Sequence, residues 1–314
     1  MRSRRTVTEM PYHLEKTELL GLEAIQDIIE LVLWTLFVMG ERIVSLLIVS
    51  DSENGKTELM KKYRKNRGVH VRRRFTAYGI LTDLRNGIIP LLFEHPRILG
   101  AILNFEFTNL LNYKQNTANS NIEFLDAVTE EGLSKESAYW TSGEELGPFE
   151  NLKAILVSAM NSFGLLTSTG KVKANLYKGG WLSRNIVVSF SNSALLDLEI
   201  SNSIARGEYR RDKKFRRLIK LNFPDKQVEV FLPEHYSQQI RDLALEIAEN
   251  YSEDLKPHKI KGFRLHKSLI SLVKASALRD GRKTVNDEDV ERIEYLSQWF
   301  NLKMKNLKKE YPYA

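Results

Sequence analysis

"LLIVSDSENGKTELMKKY", residues 46–63, decides the fold. An apolar run of strand type passes into a short polar loop, then Gly55-Lys56-Thr57, then a stretch with helical spacing. Strand, loop and helix in that order frame the phosphate-binding signature Gly-x-x-x-x-Gly-Lys-[Ser/Thr]. In such a loop successive backbone N–H groups wrap phosphates, and the helix that follows adds the positive end of its dipole. The lysine neutralises the outer phosphates and the hydroxyl ligates magnesium. Gly55, Lys56 and Thr57 fit, while Ser50 replaces the first glycine and Glu53 puts a carboxylate inside the loop. The candidate phosphate-contacting residues are Ser50, Asp51, Ser52, Glu53, Asn54, Gly55, Lys56, Thr57 and Glu58. An ordinary strand-turn-helix is the competing reading, so the rest of the chain has to weigh in.

Outward from the loop, residues 18–40 read as a helix stopped by Gly40, and 42–50 as a buried strand. Short apolar runs at 69–77, 98–107, 153–161 and 184–190 are further strands. "NYKQNTANSN" (112–121) reads as a loop, and 122–132 as a helix ending at Gly132. From about residue 234 the periodicity is helical throughout. Strands alternating with helices predict an α/β fold: a parallel sheet in a three-layer αβα core over 18–232. A helical lid would follow over 233–314, and residues 1–17 would be an N-terminal extension.

Composition narrows the chemistry. The 314 residues are 42% hydrophobic and 28% charged, which describes a soluble globular chain with a sizeable core. The absence of cysteine excludes disulfides and thiolate metal sites, and six scattered histidines lack metal-ligand spacing. The net charge of +7 favours an anionic partner. It is concentrated in "KKYRKNRGVHVRRR" (61–74), "RGEYRRDKKFRRLIK" (206–220) and "KMKNLKK" (303–309). Such blocks are either solvated faces or a surface for nucleic acid, because neutralising phosphates takes clustered Lys and Arg. "IIELVLWTLFVMG" (28–40) imitates a membrane span, but its uncharged run is far short of the about 20 residues a bilayer needs. With no apolar core near the start to act as a signal peptide, a cytoplasmic protein without a membrane partner is expected.

In order, the landmarks resemble the core of the AAA+ ATPases, especially the MCM helicase and MoxR-like branch. "GLEAIQDIIELVLWTLFVMG" (21–40) resembles the helix before the nucleotide loop of MCM proteins, and 46–63 that family's strand, loop and helix. "RFTAYGILTDL" (74–84) is similar to the Gly-Leu-Thr-Ala segment that follows, and "AILNFEFTNLL" (101–111) stands where the family's Walker B strand ends in Asp-Glu. "KAILVSAMN" (153–161) takes the place of the sensor-1 strand, ending in Asn161. "WLSRNIVVSF" (181–190) resembles the segment that carries the arginine finger. "FRLHKSLISLVKASAL" (263–278) resembles the lid helix that opens with the sensor-2 arginine, and "VNDEDVERI" (285–293) the family's Val-Thr-x-x-Asp-Val turn. The likeness runs from about residue 17 to about residue 300.

The resemblance implies binding of ATP with Mg2+, and hydrolysis in an oligomeric ring such as a hexamer. Lys56 and Thr57 would hold the β/γ-phosphates and the metal, Glu106 would polarise the attacking water, and Asn161 would position it. Arg184 would reach the phosphate of a neighbouring subunit, and Arg264 would sense the γ-phosphate. Each has a plainer alternative: Arg184 as an edge charge pairing with any carboxylate, Asn161 as the cap of a strand end, Arg264 as an exposed helical arginine. The family's magnesium-orienting Asp is here Phe105, with Asn104 one position earlier as the weak substitute. Together with Ser50 and Glu53, that departure points toward slow turnover.

Three functions stay open on the sequence. The first is an ATP-driven factor acting on DNA, helicase-like or serving replication or a mobile element. With only about 17 residues before the core, the family's N-terminal DNA-binding domain is not expected, and a full replicative helicase is disfavoured. The second is a MoxR-like ATPase that remodels a protein client. The third is a degenerate AAA+ scaffold.

Overall fold

The computed structural model describes residues 19, 21–111, 113–133, 149–161, 181–208, 217–254 and 260–301. Five strands form one all-parallel sheet: β1 (Ser45–Ser50), β2 (Val69–Val71), β3 (Ile98–Asn104), β4 (Lys153–Asn161) and β5 (Asn185–Phe190). Their order is β2-β3-β4-β1-β5. β1, β3 and β5 are buried at every position, as strands covered on both faces must be, and this is why they read as unbroken apolar runs. The α/β expectation therefore holds at the level of a parallel sheet flanked by helices.

Helix α1 (Glu23–Trp34) is buried at every residue after Glu23. It lies against the sheet and against a helix near the end of the chain, so its apolar run belongs to a core. No helix of the described residues is long and apolar enough to cross a membrane. The helix predicted to reach Gly40 stops earlier because of Thr35. That hydroxyl donates to the Val32 carbonyl and accepts from the Val44 N–H, which pulls the chain out of the helix. A single 3-10 turn (Thr35–Phe37) follows.

Helix α2 (Lys56–Lys61) follows the loop, and α3 (Ala77–Arg85) opens on Thr76, whose side chain accepts from the Gly79 N–H. That cap, and the pairing of Arg72 with Asp83 at 2.8 Å, shorten the strand predicted over 69–77 to three residues. The strand predicted over 98–107 ends at Asn104. At Gly100 the register shifts and φ is 114°; a Cβ there would lie 2.1 Å from the Gly68 carbonyl oxygen. Only glycine fits that approach.

After the short α4 (Thr108–Leu111) comes α5 (Gln115–Val128), which corrects the loop expected over 112–121. The segment is polar, yet Ala118, Ile122 and Leu125 are buried at helical spacing. Asn121 faces inward and accepts from the Ala77 N–H at 2.9 Å. Composition concealed the period.

The one-turn α6 (Trp181–Arg184) leads directly into β5, and α7 (Ala194–Ala205) follows that strand. Helices α8 (Glu234–Asp254), α9 (Phe263–Arg279) and α10 (Asp287–Leu296) occupy the stretch read as helical. They share the sheet's hydrophobic core, which runs unbroken from Leu19 to Phe300. The Tyr251 hydroxyl of α8 accepts from the Val187 N–H at 3.2 Å and donates to its carbonyl at 3.0 Å, and Phe300 bridges Val188. These contacts blunt the outer edge of β5, which would otherwise offer unpaired backbone groups.

Candidate functional site

The strand order brings three chain segments to one edge. β1 is flanked by β4 and β5, with Ser50 in register with both Asn161 and Phe190, while Asn104 of β3 pairs with Ser158. The chain leaves β1 toward the β2 edge but leaves β4 in the opposite direction, toward β5. Adjacent carboxyl ends whose connections diverge open a crevice, where open α/β sheets take their ligands.

The loop after β1 fills that crevice. Glu53 and Gly55 are both left-handed, with φ of 68° and 74°. Such residues curl a chain so that successive N–H groups can face one point. For Gly55 a Cβ would lie 3.0 Å from the Leu22 side chain, so the loop is also pressed against the start of α1. Glu53 is exposed. The Asn54 side-chain nitrogen is buried and has no acceptor among the described residues.

Lys56 folds back over the loop, its ammonium donating to the carbonyls of Ser50 at 2.8 Å and Asp51 at 2.6 Å. Burial pushes its pKa down to about 8, with the negative charges of Glu106 and Asp51 resisting. Glu106 is exposed just beyond β3, accepts from the Thr108 hydroxyl, and is close enough for its charge to act on Lys56. Asn161 donates to the Ser52 hydroxyl. Lys56, Glu106 and Asn161, from three separate segments, therefore meet around one loop. The arrangement offers a cation, a cluster of polar groups and an exposed carboxylate, which suits an anion with a water beside it.

Asn104 is spoken for. Its amide donates to the carbonyls of Arg72 at 2.8 Å and Arg73 at 3.3 Å, while its Oδ1 is buried without a partner. Phe105 is buried as well. Of the two residues weighed as metal ligands, Asn104 is thus engaged by the β2 backbone, while Thr57 lies half-buried in the first turn of α2 beside Lys56.

Arg184 and Arg264 do not join this group. Arg184 immediately precedes β5, whose first residue Asn185 pairs with Ser45, at the amino end of β1. The length of β1, about 17 Å at the usual rise, separates it from the loop. Arg264 sits beside it rather than over the loop, so neither arginine faces the loop after β1 of its own chain. Both donate through Nε to Glu130 at 2.6 Å, Arg184 to one carboxylate oxygen and Arg264 to the other. Arg42 lies 3.5 Å from the same carboxylate, and Asp126 lies 3.7 Å from Arg184. Burial pushes Glu130 up, but the hydrogen bonds from Arg264 and Arg184 and the charge of Arg42 prevail and hold it below its ordinary value. Burial also pushes Asp126 up, to about 6, against the pull of Arg184. Arg42, Asp126 and Glu130 carry no motif, and the sequence did not single them out.

The basic blocks divide. In 61–74, Lys62 is buried with its ammonium on the Arg217 carbonyl, Arg67 binds Asp225 and Arg72 binds Asp83, so these three serve the fold. Arg64, Lys65, Arg73 and Arg74 are exposed. Only 206–208 and 217–220 of the second block are described, and the third lies outside the described residues.

No family model matches the chain, and a search of curated proteins finds no match either. Among the described residues no group of three His, Asp or Glu side chains is placed to hold a metal ion.

Proposed function

We propose that the loop over residues 50–58 binds the phosphates of ATP with Mg2+, and that an oligomer of this chain turns the nucleotide over slowly while acting on DNA. In this reading the sheet is the core of an AAA+ ATPase and the helices after residue 233 are its lid. The observation that carries it is the meeting of Lys56, Glu106 and Asn161 at the carboxyl ends of adjacent strands. Lys56 neutralises the outer phosphates, exchanging its bonds to the Ser50 and Asp51 carbonyls for phosphate oxygens. The Asn54 amide gains the acceptor it lacks. Asn161 orients a water and Glu106 takes its proton, a task of placement and charge stabilisation. Mg2+, when bound, would draw charge from the phosphate oxygens, and Thr57 is the side chain that would hold it. Arg184 and Arg264, being remote from the loop of their own chain, act on a neighbour's nucleotide.

One observation favours a second reading, binding with little or no turnover. Asn104 is tied to the β2 backbone and Phe105 offers no oxygen, so the position that orients magnesium in the resembled family supplies no carboxylate. The exposed arginines of the first basic block support DNA as the partner, through phosphate neutralisation.

The deciding experiment measures nucleotide binding and hydrolysis with and without DNA, for the native chain and Lys56→Ala. ATP binding lost in Lys56→Ala, with DNA affinity falling steeply with salt, supports the proposal. Binding indifferent to Lys56 ends it. Stimulation by a protein client and none by DNA would replace the DNA part with the remodelling alternative.

A further inference from the structure

We infer that the groove between α8 and α10 docks an extended, lysine-rich peptide segment of a partner protein. It takes cations where the loop after β1 is proposed to take anions, and it does not depend on that loop.

Helix α8 has two faces. Tyr236, Ile240, Ala244 and Tyr251 enter the core. A second stripe runs from His235 through Gln238, Asp242 and Glu246 to Asn250, recurring every three or four residues as one side of a helix does. This stripe lines a groove of about 900 Å3, whose other wall is Glu294 and residues 297–301. Its floor is apolar: Ile247 and Phe300 are buried, and Leu243 packs against the core.

Charge selects the occupant. The chain carries +7, yet the described lining holds three exposed carboxylates, Asp242, Glu246 and Glu294, and neither lysine nor arginine. Arg241, 3.8 Å from Asp242, stands outside the lining. Amides hold two of the acids in place. Gln238 donates to Asp242 at 2.7 Å along α8, and Gln239 donates to Glu294 at 2.6 Å, from α8 to α10. Each bond engages one oxygen and leaves the carboxylate its charge. A groove of this sign attracts a cationic partner and repels an anionic one.

Spacing selects the form. Asp242 and Glu246 are four residues apart, a rise of about 6 Å along the helix. Alternate side chains of an extended chain repeat at about 6.6–6.8 Å, close to that step, and the intervening ones point the other way. The stripe from His235 to Asn250 spans about 22 Å, the length of about seven extended residues. Lysine suits the rim because its apolar stem can lie along the groove while the ammonium reaches a carboxylate. A segment that alternates basic and apolar side chains therefore satisfies the rim and the floor together.

The probe is a labelled eight-residue peptide alternating Lys and Leu, titrated into the full chain by fluorescence anisotropy, beside the same peptide with Glu for Lys. The lysine peptide should bind, and more weakly as salt is raised. Asp242→Asn, Glu246→Gln and Glu294→Gln should each weaken it about two- to fivefold, the range for exposed ion pairs. The glutamate peptide should not bind. Should an amide variant disturb the fold, Glu246→Lys, on an exposed side chain, reads the same groove by reversing its charge. No binding of the lysine peptide, or binding that ignores all four variants, overturns the inference. Replacing Lys303, Lys305, Lys308 and Lys309 together by Gln should leave the affinity unchanged. If it rises instead, the groove serves this chain's own basic segment and the partner reading falls.

Discussion

Lys56 donates its ammonium to the backbone carbonyl of Ser50 across 2.8 Å, closing the loop with the side chain that would otherwise face its ligand. The bond holds the cation at the mouth of the loop and partly out of water, which disfavours its charged form.

On the proposed reading, that burial makes anion binding pH-dependent. In the free loop Lys56 loses its proton near pH 8, whereas a bound phosphate requires the ammonium. Above about pH 8 each bound nucleotide must bring a proton in, so affinity should fall about tenfold per pH unit. Calorimetry in buffers of different ionisation enthalpy should detect the uptake, and Lys56→Met should abolish it.

Asp126 gives the opposite kind of signature. Its carboxyl is raised from the ordinary 3.8 to about 6, so the folded chain holds the proton more tightly than the unfolded one. The stability it contributes is complete below about pH 4 and is lost as the pH rises through about 6. Asp126→Asn should therefore gain stability relative to the native chain between those limits. Urea midpoints across the range check the sign.

Arg279 holds a buried polar centre together. It pairs with Asp27 and lies 3.7 Å from Glu30, which also accepts from Tyr63 at 2.9 Å. Asp27 and Glu30 are 8% and 9% exposed. Arg279→Ala removes the cation that pairs with Asp27 and leaves Glu30 with its neutral donors Tyr63 and Gln26, and should cost about 3–5 kcal/mol near neutral pH. Denaturant titration of Arg279→Ala beside Arg279→Met, which keeps bulk without charge, separates the loss of the ion pair from a packing defect.

Asn104→Asp tests whether this position serves the metal or the fold. A carboxylate cannot donate to the Arg72 and Arg73 carbonyls, and would set negative oxygens against them. The expected result is a destabilisation of about 1–3 kcal/mol with no rise in hydrolysis. Faster hydrolysis in a stable variant would return Asn104 to the metal site.

The sequence by itself determined the strand-loop-helix over 46–63, the buried strands β3, β4 and β5, and the three helices after residue 234. These depend on local burial and spacing, which a linear pattern carries. The sequence also nominated Lys56 by the loop's own Gly-Lys-Thr signature, and Glu106 and Asn161 by the resemblance of the motif order to the AAA+ core. Its errors lay where a distant partner overrode composition. The polar 112–121 became helical because Ala118 and Asn121 found a core to enter, and α1 stopped short because Thr35 bonds Val44.

Only the tertiary structure decided which functional candidates stand together. The strand order set Asn161 beside the loop and sent Arg184 and Arg264 to the far end of the sheet, where Glu130 joins them. A carboxylate in an unremarkable "TEEG" gains its importance from two arginines 54 and 134 residues away. Separations of that size are fixed by how strands pair and helices pack, and no local pattern encodes them.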